Sequence, residues 1–256
     1  MKNNSLEDVF LGILTLLLNG LLLILVGNWV EVNIIFISIL VLYVLRITIH
    51  LIVRFGGEDS RYGDIREELM KNGYLCYLLG AFFLFTFYSL FIVLFSIPTL
   101  YMILYATEGL PWLAIVGAAV AFISFLLEAL ADWQLEKFRA DPANKGTMNK
   151  IGLWRYSRHP NYFFDTLMWW GFSMMAWTVP GGWMTVWVPI LQTILMRYVT
   201  GVPLLEEKFK DRPSFKEYCE ETSAFLPWFV NYKKADEEGG VPSEKKPLLD
   251  GAGANN

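Results

Sequence analysis

The stretch Gly152–Asp165, GLWRYSRHPNYFFD, gathers cations, an amide and a carboxylate at the mouth of an apolar run. Arg155, Arg158 and His159 are N–H donors of the type that grip phosphate or carboxylate groups. Pro160 follows at once, and proline suits the first turn of a helix, where its missing N–H costs nothing. The cations therefore stand at a helix N-terminus, whose unpaired N–H groups and positive dipole end favour an anion. An anionic ligand fits this arrangement; so does the plainer role of touching lipid phosphates at a membrane face. Beyond Pro160, Asn161 and Asp165 are four apart and Tyr162 and Asp165 three apart, which places all three on one helical face. Asp165 falls just inside the membrane boundary, where a carboxylate is costly unless paired or functional. Stabilisation by the helix dipole is the structural reading, and catalysis or ligand binding the functional one.

Two further stripes lead to the same boundary. Glu128, Asp132, Leu135 and Arg139 recur at i, i+4, i+7 and i+11 near the end of an earlier apolar run. Glu128 lies about a turn deeper than Asp132, as a buried acid in a pocket or as half of an intramembrane ion pair. A partner is at hand in the second apolar run, where Arg46, His50 and Arg54 repeat every four residues. Snorkelling explains Arg54 and explains the deeper Arg46 less well. His50 has no metal-binding companions in the sequence, so it reads as a hydrogen-bonded structural histidine.

The elements that must hold these residues are membrane helices. The 256-residue chain is 55% hydrophobic and 16% aromatic, with mean hydropathy +0.40, and several runs reach the roughly 20 residues that cross a bilayer. Val9–Gly27 and Val32–Val53 are joined by Asn28–Glu31, which has no Lys or Arg. Residues 54–72 carry four Lys/Arg, and residues 132–159 carry six, including Lys137, Arg139, Lys145 and Lys150. The positive-inside rule makes both segments cytoplasmic. A fourth span is expected from Leu110 to Ala131 and another over Pro160–Val179, followed by an uncharged hairpin near Pro180–Gly182. Tyr74–Thr107 is too long for one upright span and contains Pro98, so it reads as one tilted, kinked span or as a span with a re-entrant piece. The expected fold is an all-α integral membrane protein of about six transmembrane helices, seven being possible, with both termini cytoplasmic. It forms one membrane-embedded domain over residues 1–230, with the cofactor-binding part at about 110–230. Glu7 and Asp8 at the entry of a long first run argue against a cleaved signal peptide.

Residues 231–256 are charged and Gly-rich, and read as a disordered cytoplasmic tail. Within it, Glu244–Leu249 has the spacing of an acidic dileucine sorting signal. Asn3-Asn-Ser5 is a glycosylation sequon that a cytoplasmic N-terminus would leave unused. Cys76 and Cys219 are far apart and match no metal spacing, so no metal site or disulfide framework is expected. A net charge of -4 excludes a nucleic-acid partner. No dinucleotide fingerprint, P-loop or nucleophile elbow is present.

These residues resemble the DUF1295 group of membrane proteins, whose C-terminal half is placed with the steroid 5-alpha-reductase and sterol reductase superfamily. The likeness spans most of Leu45–Trp228. It rests on Arg46, His50 and Arg54; Glu58-Asp59-Ser-Arg61-Tyr62; Glu128-Ala-Leu-Ala-Asp132-Trp133-Gln134; and Phe138 to Gly146. It continues through Gly152–Tyr162, Gly201–Glu206 and Tyr218 with Pro227-Trp228. The resemblance implies a cytoplasmic NADPH pocket, with Lys145, Arg155, Arg158, His159, Asn161, Tyr162 and Asp165 as cofactor residues. The group usually continues Tyr-Phe-Gly-Glu, whereas this chain has Tyr162-Phe163-Phe164-Asp165, and Phe164 removes room near the helix start.

The expected activity is NADPH-dependent reduction of a carbon–carbon double bond in a lipophilic, sterol-like substrate. Hydride comes from the cofactor and a proton from a side chain within hydrogen-bond reach, with Tyr162, Asp165 and Glu128 as candidates in that order and Tyr218 as a further one. The alternative is an S-adenosylmethionine-dependent methyltransferase, since isoprenylcysteine carboxyl methyltransferases share an Arg-His-Pro-x-Tyr segment. The basic residues from Lys137 to Arg158 favour NADPH, which carries more phosphate. A third reading is a non-catalytic membrane protein that keeps the fold. The resemblance makes the endoplasmic reticulum the expected compartment, with an endolysosomal membrane next if the dileucine is used; the oligomeric state is left open.

Overall fold

The computed structural model describes residues 6–53, 70–71 and 73–229. Arg54, the Glu58–Tyr62 motif, the Asn3 sequon and the 231–256 tail lie outside the described residues. Among the described residues the chain is all-helical: α1 Leu6–Val26, α2 Glu31–Val53, α3 Tyr74–Tyr105, α4 Trp112–Ala140, α5 Pro160–Ala176, α6 Trp187–Tyr198, α7 Val202–Glu206 and α8 Pro213–Glu221. Three helical stretches there are long and apolar enough to cross a membrane: Glu31–His50, Trp112–Ala140 and Gly182–Glu206. Shorter apolar stretches cover Gly12–Val26 and Ser89–Tyr105. The side chains turned outward include Leu21, Ile24, Leu79, Phe82, Leu90 and Ile123, a surface that belongs in a lipid bilayer.

α1 stops at Gly27, whose φ of +70° closes the helix in the left-handed region that glycine occupies without strain. The turn that follows is bound to the end of α3. Asn28 Nδ2 donates to the carbonyls of Ile103 at 3.0 Å and Ala106 at 2.8 Å, satisfying oxygens that a helix end leaves free. Glu31 accepts from the Gly109 N–H at 3.2 Å. These contacts gather the α1–α2 and α3–α4 turns at one end of the bundle. The acid and arginine stripes lie toward the other end.

α3 runs unbroken for 32 residues with Pro98 inside it, about 48 Å at 1.5 Å per residue. The segment is one helix on both sides of Pro98, of which Ser89–Tyr105 is the apolar part. The proline is accommodated beside a polar clasp to α1. Asn19, fully buried, donates to Ser96 Oγ at 3.3 Å and accepts from Thr99 Oγ1 at 2.7 Å.

α4 and α5 form the closest helix pair, because small residues face each other. A Cβ added at Gly117 would lie 2.7 Å from the Gly171 carbonyl oxygen, and one at Gly171 would lie 2.6 Å from the Ala121 nitrogen. Such backbone contact is what small residues provide where apolar burial drives no association. Phe36 of α2 meets Phe172 of α5 edge-on at 5.0 Å, within a core that includes Leu40, Met102, Met168 and Met175.

Two expected boundaries change. α4 continues past Ala131 to Ala140, because Gln134 and the Glu136–Arg139 turn extend the helix as a polar end; Arg139 there bonds Glu136 at 3.4 Å. α5 ends at Ala176 instead of Val179, and the chain turns back through Gly181 at φ +80°.

Candidate functional site

α2 and α4 run parallel and α5 runs antiparallel to both, which brings the three polar stripes to one level. Arg46 Nη1 donates to Glu128 Oε1 at 2.5 Å, and Nη2 donates to Asp132 Oδ2. The intramembrane ion pair expected of Glu128 is present, and its partner is the α2 arginine. Asn161 Nδ2 donates to the other Asp132 oxygen at 3.1 Å. Tyr43, one turn before Arg46, donates to Asp165 Oδ1 at 3.0 Å. His50 Nε2 lies 4.0 Å from Asp132 Oδ2. Tyr43 and Arg46 share one face of α2, and Asn161 and Asp165 one face of α5, so three carboxylates gather around a single arginine. Glu128 is 4% exposed and Asp132 8%. Glu128 Oε2 is buried with no hydrogen-bond partner. Among the described residues no His, Cys, Asp and Glu group is arranged to hold a metal ion.

Past the start of α5 lies a second network of a different character. Arg158 forks onto Glu206 of α7, Nε to Oε1 at 2.8 Å and Nη2 to Oε2 at 3.2 Å. Its Nη1 donates to the carbonyls of Thr222 at 2.6 Å and Cys219 at 3.3 Å, and its backbone N–H donates to Ser223 O at 2.8 Å. His159 Nε2 lies 3.1 Å from Glu206 Oε1, and its ring stacks on Tyr162 at 5.6 Å. Ser157 Oγ donates to Phe225 O at 2.7 Å. The phenol of Tyr218 donates to Trp154 O and Ser157 O; burial pushes its pKa well up, so it stays a neutral donor. Lys150 bonds Glu217 at 2.6 Å and Glu221 at 2.8 Å. Partial burial works against its charge, yet these bonds hold its ammonium above the ordinary lysine value.

The sequence-derived candidates thus divide. Glu128, Asn161 and Asp165 join one buried network with Asp132 and Arg46. Arg158 and His159, expected at an anion, instead fasten the segment after α7 onto the start of α5. Tyr218 bonds backbone carbonyls, which makes it a structural member of that tie. Tyr162 stacks beneath His159 between the two networks. Lys145 and Arg155 are exposed on the intervening loop, where Asn149 Nδ2 is a buried donor with no partner. Phe164, the departure from the family pattern, is buried at 8% exposure and meets Phe163 edge-on at 5.2 Å. Two contributors give only weak signals in the sequence: Tyr43, which precedes Arg46 by three residues on the same face, and Glu206, which closes the Gly201–Glu206 motif.

The buried acid and arginine stripes are two of the motifs that carry the resemblance, and they meet at one site. The chain belongs to the DUF1295 family. The family profile, described as a protein of unknown function, matches residues 1–222. The DUF1295 chain is also similar to the uncharacterized protein C594.04c of Schizosaccharomyces pombe, 25% identical over 205 residues, which cover 67% of this chain and 55% of that protein. The chain therefore spans about half the length of that relative. No solved structure matches it.

Proposed function

We propose that this DUF1295 protein is a membrane reductase of the steroid 5-alpha-reductase and sterol reductase superfamily, which uses NADPH to saturate a carbon–carbon double bond of a lipophilic substrate. The observation that carries the reading is the buried network of Glu128, Asp132, Asn161 and Asp165 lying next to a loop of exposed cations. A polar site buried among membrane helices beside a phosphate-suited loop is what a membrane-soluble substrate and a water-soluble cofactor together require.

The residues present fit the cofactor in part. Exposed Lys145 and Arg155 and the free Asn149 Nδ2 are donors suited to its phosphates. Arg158 and His159 are engaged with Glu206 and act by fixing the loop. NADPH supplies a hydride when bound. The proton for the second carbon comes from the buried network or its edge, where Tyr162, Asp165 and Glu128 are the candidates. In this reading six helices cross the endoplasmic reticulum membrane, and both termini and the cofactor loop are cytoplasmic. The alternation of α1 to α6 and the basic residues at 132–159 support that orientation.

One observation favours the methyltransferase alternative. Lys150, Arg139 and Arg158 are each bonded to carboxylates, which leaves fewer cations for phosphates and suits zwitterionic S-adenosylmethionine. Calorimetry of the detergent-purified protein with NADPH and with S-adenosylmethionine decides between them. The reductase reading expects saturable NADPH binding, weakened about tenfold or more when Lys145 and Arg155 are both replaced by Ala. Binding of the methyl donor alone would overturn it. Binding of neither would favour a non-catalytic protein.

A further inference from the structure

We infer that the buried network of α2, α4 and α5 is a binding site for the ammonium head of a lipophilic amine. This inference is independent of the reductase reading. It starts from a charge count over every element packed at the site. α4 contributes Glu128 and Asp132, and α5 contributes Asp165 with the neutral Asn161. α2 contributes Arg46, the neutral phenol of Tyr43, and His50, whose ring is 4.0 Å from Asp132. Three carboxylates thus face one permanent cation, and acidic excess remains even if the histidine is charged. Excess charge of one sign inside a helix bundle is costly and marks a ligand or transport function by default.

The second observation is the oxygen left over. Asp132 receives donors on both oxygens, from Arg46 and from Asn161, and Asp165 accepts from Tyr43 with Trp169 also beside it. Glu128 is held by Arg46 through Oε1 alone, and its Oε2 is buried without a partner. A buried acceptor without a donor costs free energy comparable to a lost hydrogen bond, more for a charged group. An ammonium supplies both missing quantities: three N–H donors and one positive charge. A hydroxyl would supply a donor but no charge. The site can be reached from the α2 side, where the Arg46 and His50 side chains keep 17% and 20% of their surface exposed. The apolar remainder of such a ligand lies among residues already suited to lipid.

The test compares dodecylamine and dodecanol, equal in chain length and different in head group, by thermal unfolding of the full chain in detergent. Dodecylamine should raise the unfolding temperature saturably. The rise should vanish in Glu128→Gln and shrink in Asp165→Asn, while dodecanol has no effect on any form. Because Glu128→Gln changes the contact with Arg46, its unfolding without ligand is measured first, and Asp165→Asn stands as the second variant. A rise that persists in both variants is a bulk amphiphile effect and overturns the assignment. An equal rise with dodecanol overturns its charge component, and no rise in the wild type overturns it entirely. The reductase reading is judged separately by NADPH calorimetry, so either can fail alone.

Discussion

Arg46 and Arg158 are both largely buried and both bond carboxylates, yet they do opposite things. Arg158 places four of its five N–H groups on partners within the chain, two on Glu206 and two on backbone carbonyls, and with His159 also at Glu206 neither carboxylate oxygen is left bare. Everything it touches belongs to the chain segment it fastens. Arg46 divides its guanidinium between Glu128 and Asp132 in a network that holds a third carboxylate and leaves one buried oxygen bare. A complete network specifies structure, whereas an incomplete one has capacity for a partner. On residue type alone, the Arg-x-x-Arg-His-Pro run looked like the ligand site; hydrogen-bond completeness moves that role toward the acids.

The same isosteric change at the two sites should break the symmetry most strongly. Glu206→Gln removes the counter-charge of Arg158 and His159 and should cost about 3–5 kcal/mol, the range for breaking a buried pair from one side. Thermal unfolding checks the loss, and limited proteolysis should then cut within residues 207–229. Next comes the α4–α5 contact that holds two sides of the acid site together. Gly171→Val should cost about 3 kcal/mol, at the upper end for overpacking, because its Cβ would meet backbone atoms. Glu128→Gln should cost no more than about 1 kcal/mol, since the amide oxygen can still accept from Arg46 and a charge is removed. An equal loss at Glu206 and Glu128 would dissolve the distinction.

The smallest effect is expected at Lys150, whose partner Glu217 is largely exposed. Lys150→Ala should change stability by about 0.5 kcal/mol. Its sign with pH follows from a folded-state pKa above the unfolded one. The contribution is complete below the ordinary lysine value of about 10.4 and is lost as pH rises through the folded value. Unfolding curves of wild type and variant should therefore stay separated through neutral pH and converge only in strong base.

Much of this arrangement was legible in the sequence because helical spacing is a geometric constraint. Arg46 and His50 on one run, and Glu128 and Asp132 on another, predicted stripes that had to meet something, and they meet each other. Pro160 marked the start of α5 correctly. What spacing could not convey was competition for partners. Arg158 reads as an anion receptor until Glu206, 48 residues later, is seen to occupy it. The helical stripe from Glu128 to Arg139 carries α4 beyond the apolar run that ends near Ala131, because hydropathy reports where a lipid-facing run stops, while backbone hydrogen bonding continues through the polar turn at Glu136–Arg139. The α3 helix passes through Pro98 because a fully buried asparagine of α1 bonds Ser96 and Thr99 on either side, a tertiary contact with no local signal.

The most direct test of the distinction is hydrogen exchange of the full chain with and without NADPH, read over the loop at 141–159 and the segment at 207–229. Slower exchange confined to residues 145–155 is the predicted result, because the exposed Lys145 and Arg155 lie there while Arg158 is already engaged with Glu206. Protection confined to 207–229, or none in either segment, would contradict it.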